Sequence, residues 1–209
     1  MIIDGMDGVD DGLEDKTDNR EKILNCAIHL FYQKGYDAVG VQELATAAGV
    51  TKPTLYYYFK SKLGLLEALL KERCGPICRR LEEVAASYQG EPKDTLYELA
   101  CAFVDIAKED RELYFLLLSL NYSARDNEAF RAVSPYMKRM FQATTDVFIR
   151  AGDKLGNMNG RQEQFAIGFQ GIISHYILVM DERGLSPGEI SDPHAIWELV
   201  RQFMYGIYS

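Results

Sequence analysis

The sequence predicts an all-α fold: a small N-terminal unit of three helices built around a helix-turn-helix, then a larger C-terminal body of long helices. Three observations carry that expectation. Apolar residues recur every three to four positions in one segment after another, the period of a helix with one buried face. No stretch alternates apolar and polar residues over a useful strand length, and no internal repeat is visible. Gly, Pro, Asn and Asp cluster between the periodic segments, where they close helices and form turns.

Residues 1–17 are expected to form a disordered acidic tail, because they hold too little apolar surface to offset chain entropy. The first helix is expected from Asp18, which with Glu21 makes an acidic variant of the capping box. Ile23, Leu24, Ala27, Ile28, Leu30 and Phe31 form its apolar stripe, and Lys34-Gly35 closes it. A second helix is expected over residues 41–48, stopped by Gly49. A third covers 52–59, with Pro53 in its first turn, where a missing N–H costs nothing. Ser61 caps a fourth, which should run to about Cys74; Gly75-Pro76 should break or kink it before helical pattern resumes to Tyr88. Long helices are then expected at 93–109, 111–122, 127–151, 161–183 and 193–208, with Pro135 kinking or dividing the third of these. Residues 89–92, 152–160 and 184–192 read as loops. The expected division is a tail at 1–17, a helix-turn-helix domain at 18–64 and a helical body at 65–209.

Bulk properties exclude several classes. The chain has 209 residues, 47% of them hydrophobic, enough for one large domain or a small one joined to a medium one. The runs from Leu113 to Leu120 and Phe165 to Met180 are too short or interrupted for a bilayer span, which takes about 20 apolar residues. The acidic start lacks the basic and apolar pattern of a secretion signal, so a cytoplasmic location is expected. Net charge is −8, which taken whole speaks against nucleic acid. Its distribution reverses that reading. Residues 18–73 hold eight Lys or Arg against six acids, a net +2, while the tail and the remainder are each −5.

Cys26, Cys74, Cys78 and Cys101 suit reduced thiols in helices rather than a disulfide framework. Cys74-Gly-Pro-Ile-Cys78 is one residue longer than a redox C-x-x-C, and no strand precedes it. With three His in the chain, and no Glu-x-x-His pair, G-x-S-x-G, Walker loop or G-x-G-x-x-G, no catalytic residue, metal or cofactor is expected, and the chain is not expected to be an enzyme.

Residues 41–59 read VQELATAAGVTKPTLYYYF. Two short helices that cross steeply need a small residue at their contact, and Ala45 supplies it. The turn needs a residue tolerant of positive φ, and Gly49 stands there. Leu44, Ala48, Val50, Leu55 and Tyr58 fill the inward positions. Thr51, Lys52 and Thr54 put short polar and cationic groups near the start of the second helix, where such a motif meets the major groove.

With the stretch LFYQKGYDAVGVQELATAAGV and the following TKPTLYYYFKSKLGLLEALL, residues 18–73 resemble the DNA-binding domain of the TetR family of regulators. Gly35-Tyr36, the Ala-Gly-Val turn, Leu-Tyr-x-Tyr-Phe and Lys-Ser-Lys followed by leucines carry the likeness. Two departures are visible. Gly64 stands where the family has an acid that completes a capping box, and Gly40 where it has a Ser or Thr N-cap. Each is expected to weaken a helix end by about 1 kcal/mol.

The resemblance implies roles for named residues. Lys52 and Thr54 would face base edges or the adjacent backbone, with Thr51 and Gln42 near the groove edge. Tyr56 and Tyr57 would reach phosphates through their hydroxyls. Lys62 would pair with a phosphate at the start of the fourth helix. Tyr58 and Phe59 read as core by helical spacing, and Lys60 as either a phosphate contact or a plain exposed cation. Phosphate contacts position such a protein and base contacts specify sequence.

The resemblance also makes the body a ligand-binding and dimerisation domain. Phe165, Phe169, Ile172, Ile173, Tyr176 and Met180, with Ile196, Trp197, Val200, Phe203, Met204 and Ile207, would pair across a homodimer as a four-helix bundle. Phe103, Tyr114, Phe115, Leu118, Phe141, Phe148, Phe165 and Phe169 would line a sensor for an apolar or aromatic small molecule. Tyr122, Asn121 or His175 would orient it, although His175 also reads as an ordinary core histidine. His29 and His194 are expected to be structural or exposed. The implied partners are a palindromic double-stranded DNA operator and a small-molecule effector. Effector binding would shift the two reading heads out of register with grooves about 34 Å apart, releasing a repressor. The fourth helix would carry the change, with Gly75-Pro76 as a hinge or as a division between two helices. The alternative is a helix-turn-helix regulator governed by a protein partner, with a filled interior instead of a pocket.

Overall fold

The computed structural model describes residues 11–156 and 158–206, and these are helical with no strand among them. The elements are α1 (Asp11–Lys34), α2 (Val41–Ala47), α3 (Lys52–Phe59), α4 (Lys62–Ala86), α5 (Pro92–Glu109), α6 (Arg111–Asn121), α7 (Glu128–Arg150), α8 (Gln162–Glu182), α9 (Pro187–Ile190) and α10 (Pro193–Tyr205). Side-chain caps set several starts. Ser61, Asp110 and Asn127 accept from the backbone N–H of Gly64, Leu113 and Ala129 at 2.9, 2.9 and 2.8 Å.

One apolar core runs through the molecule. Ile23, Leu24, Phe31, Leu44, Leu55 and Phe59 fill the space between α1, α2 and α3. Leu65, Leu66, Leu69 and Leu70 on α4 continue it into the body, where Leu96, Leu99, Leu116, Val147, Phe148 and Phe169 are buried. Each such side chain contributes roughly 1.5–3 kcal/mol of burial. The most extensive helix contact is between α4 and α7.

Four features differ from expectation. α1 begins at Asp11, so Asp18 is not a cap; its carboxylate instead pairs with Lys22 one turn on, at 2.5 Å. The tail expected at residues 1–17 lies mostly outside the described residues. α4 runs unbroken through Gly75-Pro76. Pro76 removes one backbone donor, but Cys74, Cys78, Leu81 and Ala85 are buried on either side of it. Packing along that line holds the helix across the gap. α7 likewise continues through Pro135. The expected loop after α8 contains the short helix α9.

Candidate nucleic-acid interface and effector cavity

The α2–α3 corner is built as its sequence requires. Gly49 sits at φ +67°, a conformation that strains residues with a Cβ, and the Val50 N–H returns to the Ala45 carbonyl at 2.9 Å. Leu44, Ala45 and Leu55 are fully buried at the crossing, and Phe59 is buried behind them. With its inner face thus committed, α3 presents the opposite face to solvent.

Gln42, Thr51, Lys52, Tyr56 and Tyr57 are exposed and Thr54 is half-buried. Tyr57 is 64% exposed, with its ring edge-on to Tyr58 at a centroid distance of 5.2 Å. Thr51 caps α3 by accepting from the Thr54 N–H at 3.3 Å, and the two hydroxyls lie 2.9 Å apart. The pair therefore fixes the start of α3 while leaving lone pairs and one hydroxyl hydrogen outward. Gln42 is held by Thr46, whose hydroxyl lies 3.3 Å from its Nε2. Exposed Thr46, one turn along α2, joins this face; its i,i+4 spacing from Gln42 was the signal available in the sequence.

Lys62 departs from expectation. It is half-buried, and its Nζ donates to the carbonyl oxygens of Tyr36 at 3.0 Å and Val39 at 3.2 Å while lying 4.2 Å from the Tyr36 ring centroid. Two of its three donors therefore strap α4 to the α1–α2 loop, leaving one for a phosphate. Gly64 is also more than a missing cap. A Cβ there would stand 2.1 Å from the Phe59 carbonyl oxygen. The α3–α4 turn is that tight because Lys60 takes φ +65° and the Ser61 N–H bonds back to Phe59 at 2.7 Å. Lys60 itself is exposed.

Polar contacts fasten the head to the body. The Tyr36 hydroxyl donates to Glu128 at 2.5 Å; burial, then the Glu128 carboxylate, push this phenol far above its usual range. His29 Nδ1 lies 2.9 Å from Glu112, Asn127 donates to Asp37 at 2.7 Å, and Arg111 donates to the Tyr32 hydroxyl at 2.7 Å. These bonds join α1 and its following loop to α6 and to the start of α7.

The body holds an interior cavity of about 60 Å³ lined by Phe103, Tyr114, Leu118, Met137, Gln170 and Ser174, among others. Phe103, Tyr114 and Leu118, three of the residues expected to line a sensor, line this cavity. The other residues expected around a sensor lie outside its lining. Tyr122 caps the end of α6 and is 82% exposed. His175 is exposed on the outer face of α8, because a step of one residue from Ser174 turns a helix by about 100°. Phe165 and Phe169 pack instead with Phe148 and Phe203 at centroid distances of 5.3–6.5 Å, between α7, α8 and α10. Phe141 is half-buried against the core outside the cavity lining.

The polar groups that do reach the cavity, Gln170 and Ser174, share one face of α8 at i,i+4. Gln170 donates to Thr144 Oγ1 at 3.0 Å and the Met140 carbonyl at 3.2 Å. Burial pushes the Tyr114 phenol up to about 12, partly offset by its hydrogen bond with Ser174.

On the outer side of α8, Gly168, Ile172, His175 and Val179 face Leu199 and Phe203 of α10 across an open groove of about 880 Å³. Ile172, in this groove, is exposed, as are Ile167 on α8 and Tyr205 at the end of α10. Cys74 and Cys78 are buried free thiols, and burial pushes both above the ordinary thiol range. Among the described residues, no helix is long and apolar enough to cross a membrane.

A helix-turn-helix with an outward face of hydroxyls, an amide and a lysine, mounted on a helical body, defines a DNA-binding regulator. Residues 23–69 match the family described as bacterial regulatory proteins, tetR family. The chain is 27% identical over 158 residues to the HTH-type transcriptional regulator YvkB of Bacillus subtilis, covering 76% of this chain and 80% of that protein. It is 28% identical over 158 residues to the HTH-type transcriptional activator FasR of Mycolicibacterium smegmatis, covering 75% and 69%. Among solved structures, the MbdR regulator from Azoarcus sp. CIB superposes with a TM-score of 0.76 at 18% identity, over 91% of this chain and 100% of that one. FadR from Bacillus subtilis, in complex with stearoyl-CoA, gives 0.68 at 20% identity over 90% and 99%. Residues 23–69 are thus a TetR-family DNA-binding domain, and the chain as a whole shares its fold with solved TetR-family regulators.

Proposed function

We propose that the protein is a homodimeric repressor that leaves a palindromic operator when its body binds a small apolar or aromatic molecule. The observation that carries the reading is the exposed face of α3, with Lys52, Thr54, Tyr56 and Tyr57 turned away from a rigid corner. Residues 18–64 form the reading head and 65–209 the effector and dimerisation body. Gln42, Thr51, Lys52 and Thr54 meet the groove; Tyr56, Tyr57 and the remaining donor of Lys62 meet phosphates. A second copy covers the apolar groove between α8 and α10, and two-fold pairing places two heads on one face of the duplex.

Phe103, Tyr114 and Leu118 line the cavity in which the effector sits, oriented by Gln170 and Ser174. At about 60 Å³ that cavity must open on binding, since ligand pockets run to about 300–1,000 Å³. The same near-filled interior supports the second reading, a regulator governed by a protein partner. A shift assay with genomic fragments flanking the coding gene, repeated with stearoyl-CoA and then with metabolite extracts, tests both. A footprint over two half-sites that a compound releases is the expected result. A retained footprint under every compound favours the partner-governed reading, and no shift at all overturns the proposal.

A further inference from the structure

A second pocket, of about 350 Å³, opens where the end of α5, the start of α6 and the end of α8 meet. It is nearly six times the volume of the interior cavity and lies within the range of about 300–1,000 Å³ typical of ligand sites. Its floor is apolar, with Phe115, Ile177 and Leu185. Its rim carries two cations, Lys108 and Arg111, against one carboxylate, Asp181. Arg111 holds Asp181 with both arms of its fork, one contact at 2.7 Å, and its guanidinium lies over the Phe115 ring at 5.2 Å. The third nitrogen donates to the Tyr32 hydroxyl on α1 at 2.7 Å. Lys108 donates to Ser191 at 3.3 Å, a long bond to a neutral hydroxyl that an anion would displace. One side chain thus touches the pocket, α8 of the body and α1 of the reading head.

We propose that this pocket is a second effector site, separate from the interior cavity, for an amphipathic carboxylate, with its alkyl chain on the Phe115–Ile177–Leu185 floor and its carboxylate on Arg111 and Lys108. The proposal rests on the reading of the chain as an effector-released DNA-binding regulator. A planar guanidinium matches a carboxylate bidentately, so the ligand competes with Asp181 for the same fork. Giving up Asp181 frees the end of α8 and re-aims Arg111, which alters its bond to Tyr32. Ligand affinity and head orientation are then linked, because the ligand binds one arrangement of Arg111 better than the other.

The test uses the full chain with decanoate as probe and decanol as its uncharged match, read by isothermal titration calorimetry and by anisotropy of a duplex the protein binds. Decanoate is expected to bind saturably and to weaken duplex binding, with decanol at least about tenfold weaker. Leu185→Trp, which fills the floor from a half-buried loop position, and Arg111→Lys, which removes the fork, should each weaken decanoate by about tenfold or more. Leu118→Trp, in the interior cavity, should leave it within about twofold. The proposal is overturned by decanoate that does not saturate, by decanol binding equally well, or by Leu118→Trp removing binding while Leu185→Trp does not. A chain that binds its duplex and ignores decanoate sinks this inference alone. A chain that takes up decanoate through Arg111 but binds no duplex sinks the regulator reading instead.

Discussion

Lys62 stands in a family motif where a phosphate contact is expected, yet its ammonium already bonds two carbonyl oxygens and faces the Tyr36 ring. Hydrogen bonds to a charged group contribute about 1.5–3 kcal/mol, so this strap is a stability element of the α1–α4 unit in its own right. Lys62→Gln should therefore lower unfolding free energy by about 1–3 kcal/mol, whereas Lys52→Gln, at an exposed position, should change it by less than about 0.5 kcal/mol. Urea midpoints of the two variants check this, and equal midpoints would contradict the strap. Gly64 teaches a similar lesson. From the sequence it reads as a capping residue lost. In the structure it is the residue that lets the α3–α4 turn close against the Phe59 carbonyl. That close approach depends on the positive φ of Lys60, which composition and periodicity do not signal.

At the scale of elements, helix existence was legible because long apolar stripes have one period and the caps are local. Which stripe meets which neighbour was not. Pro76 reads as a break, and only the buried row from Leu65 to Ala85 against α7 explains why α4 crosses it. The interior cavity shows the same limit. Aromatic residues on α6, α7 and α8 look alike in sequence, but Phe165 and Phe169 turn toward α10 while Gln170 and Ser174 turn inward. Tyr114, which does line the cavity, makes a prediction at this scale. Its phenol is raised from 10.0 to about 12 chiefly by desolvation, so the folded state holds the proton more tightly than the unfolded chain. The stabilisation it gives is complete below about pH 10 and is lost as pH rises through about 12, a fall of about 3 kcal/mol from this group. Denaturant midpoints measured from pH 9 to 12 should decline less steeply in Tyr114→Phe; parallel declines would contradict the assignment.

For the whole molecule, the mixed charge distribution matters more than the net −8. Both the acidic body and the positive head are compatible with DNA only if the head alone meets the duplex. The open groove between α8 and α10 is the other whole-molecule feature, and burying it in a dimer would place two heads together. Ile172→Glu, at a half-exposed position in that groove, should shift the sedimentation mass from dimer to monomer and weaken operator binding by about tenfold or more. A variant that stays dimeric would move the interface elsewhere. The account as a whole turns on the outward face of α3, and the salt dependence of duplex binding tests it most directly. Fluorescence anisotropy should show Lys52→Gln binding more weakly than the native chain, with a log–log salt slope shallower by about one. An unchanged affinity and slope would mean that this helix does not meet DNA.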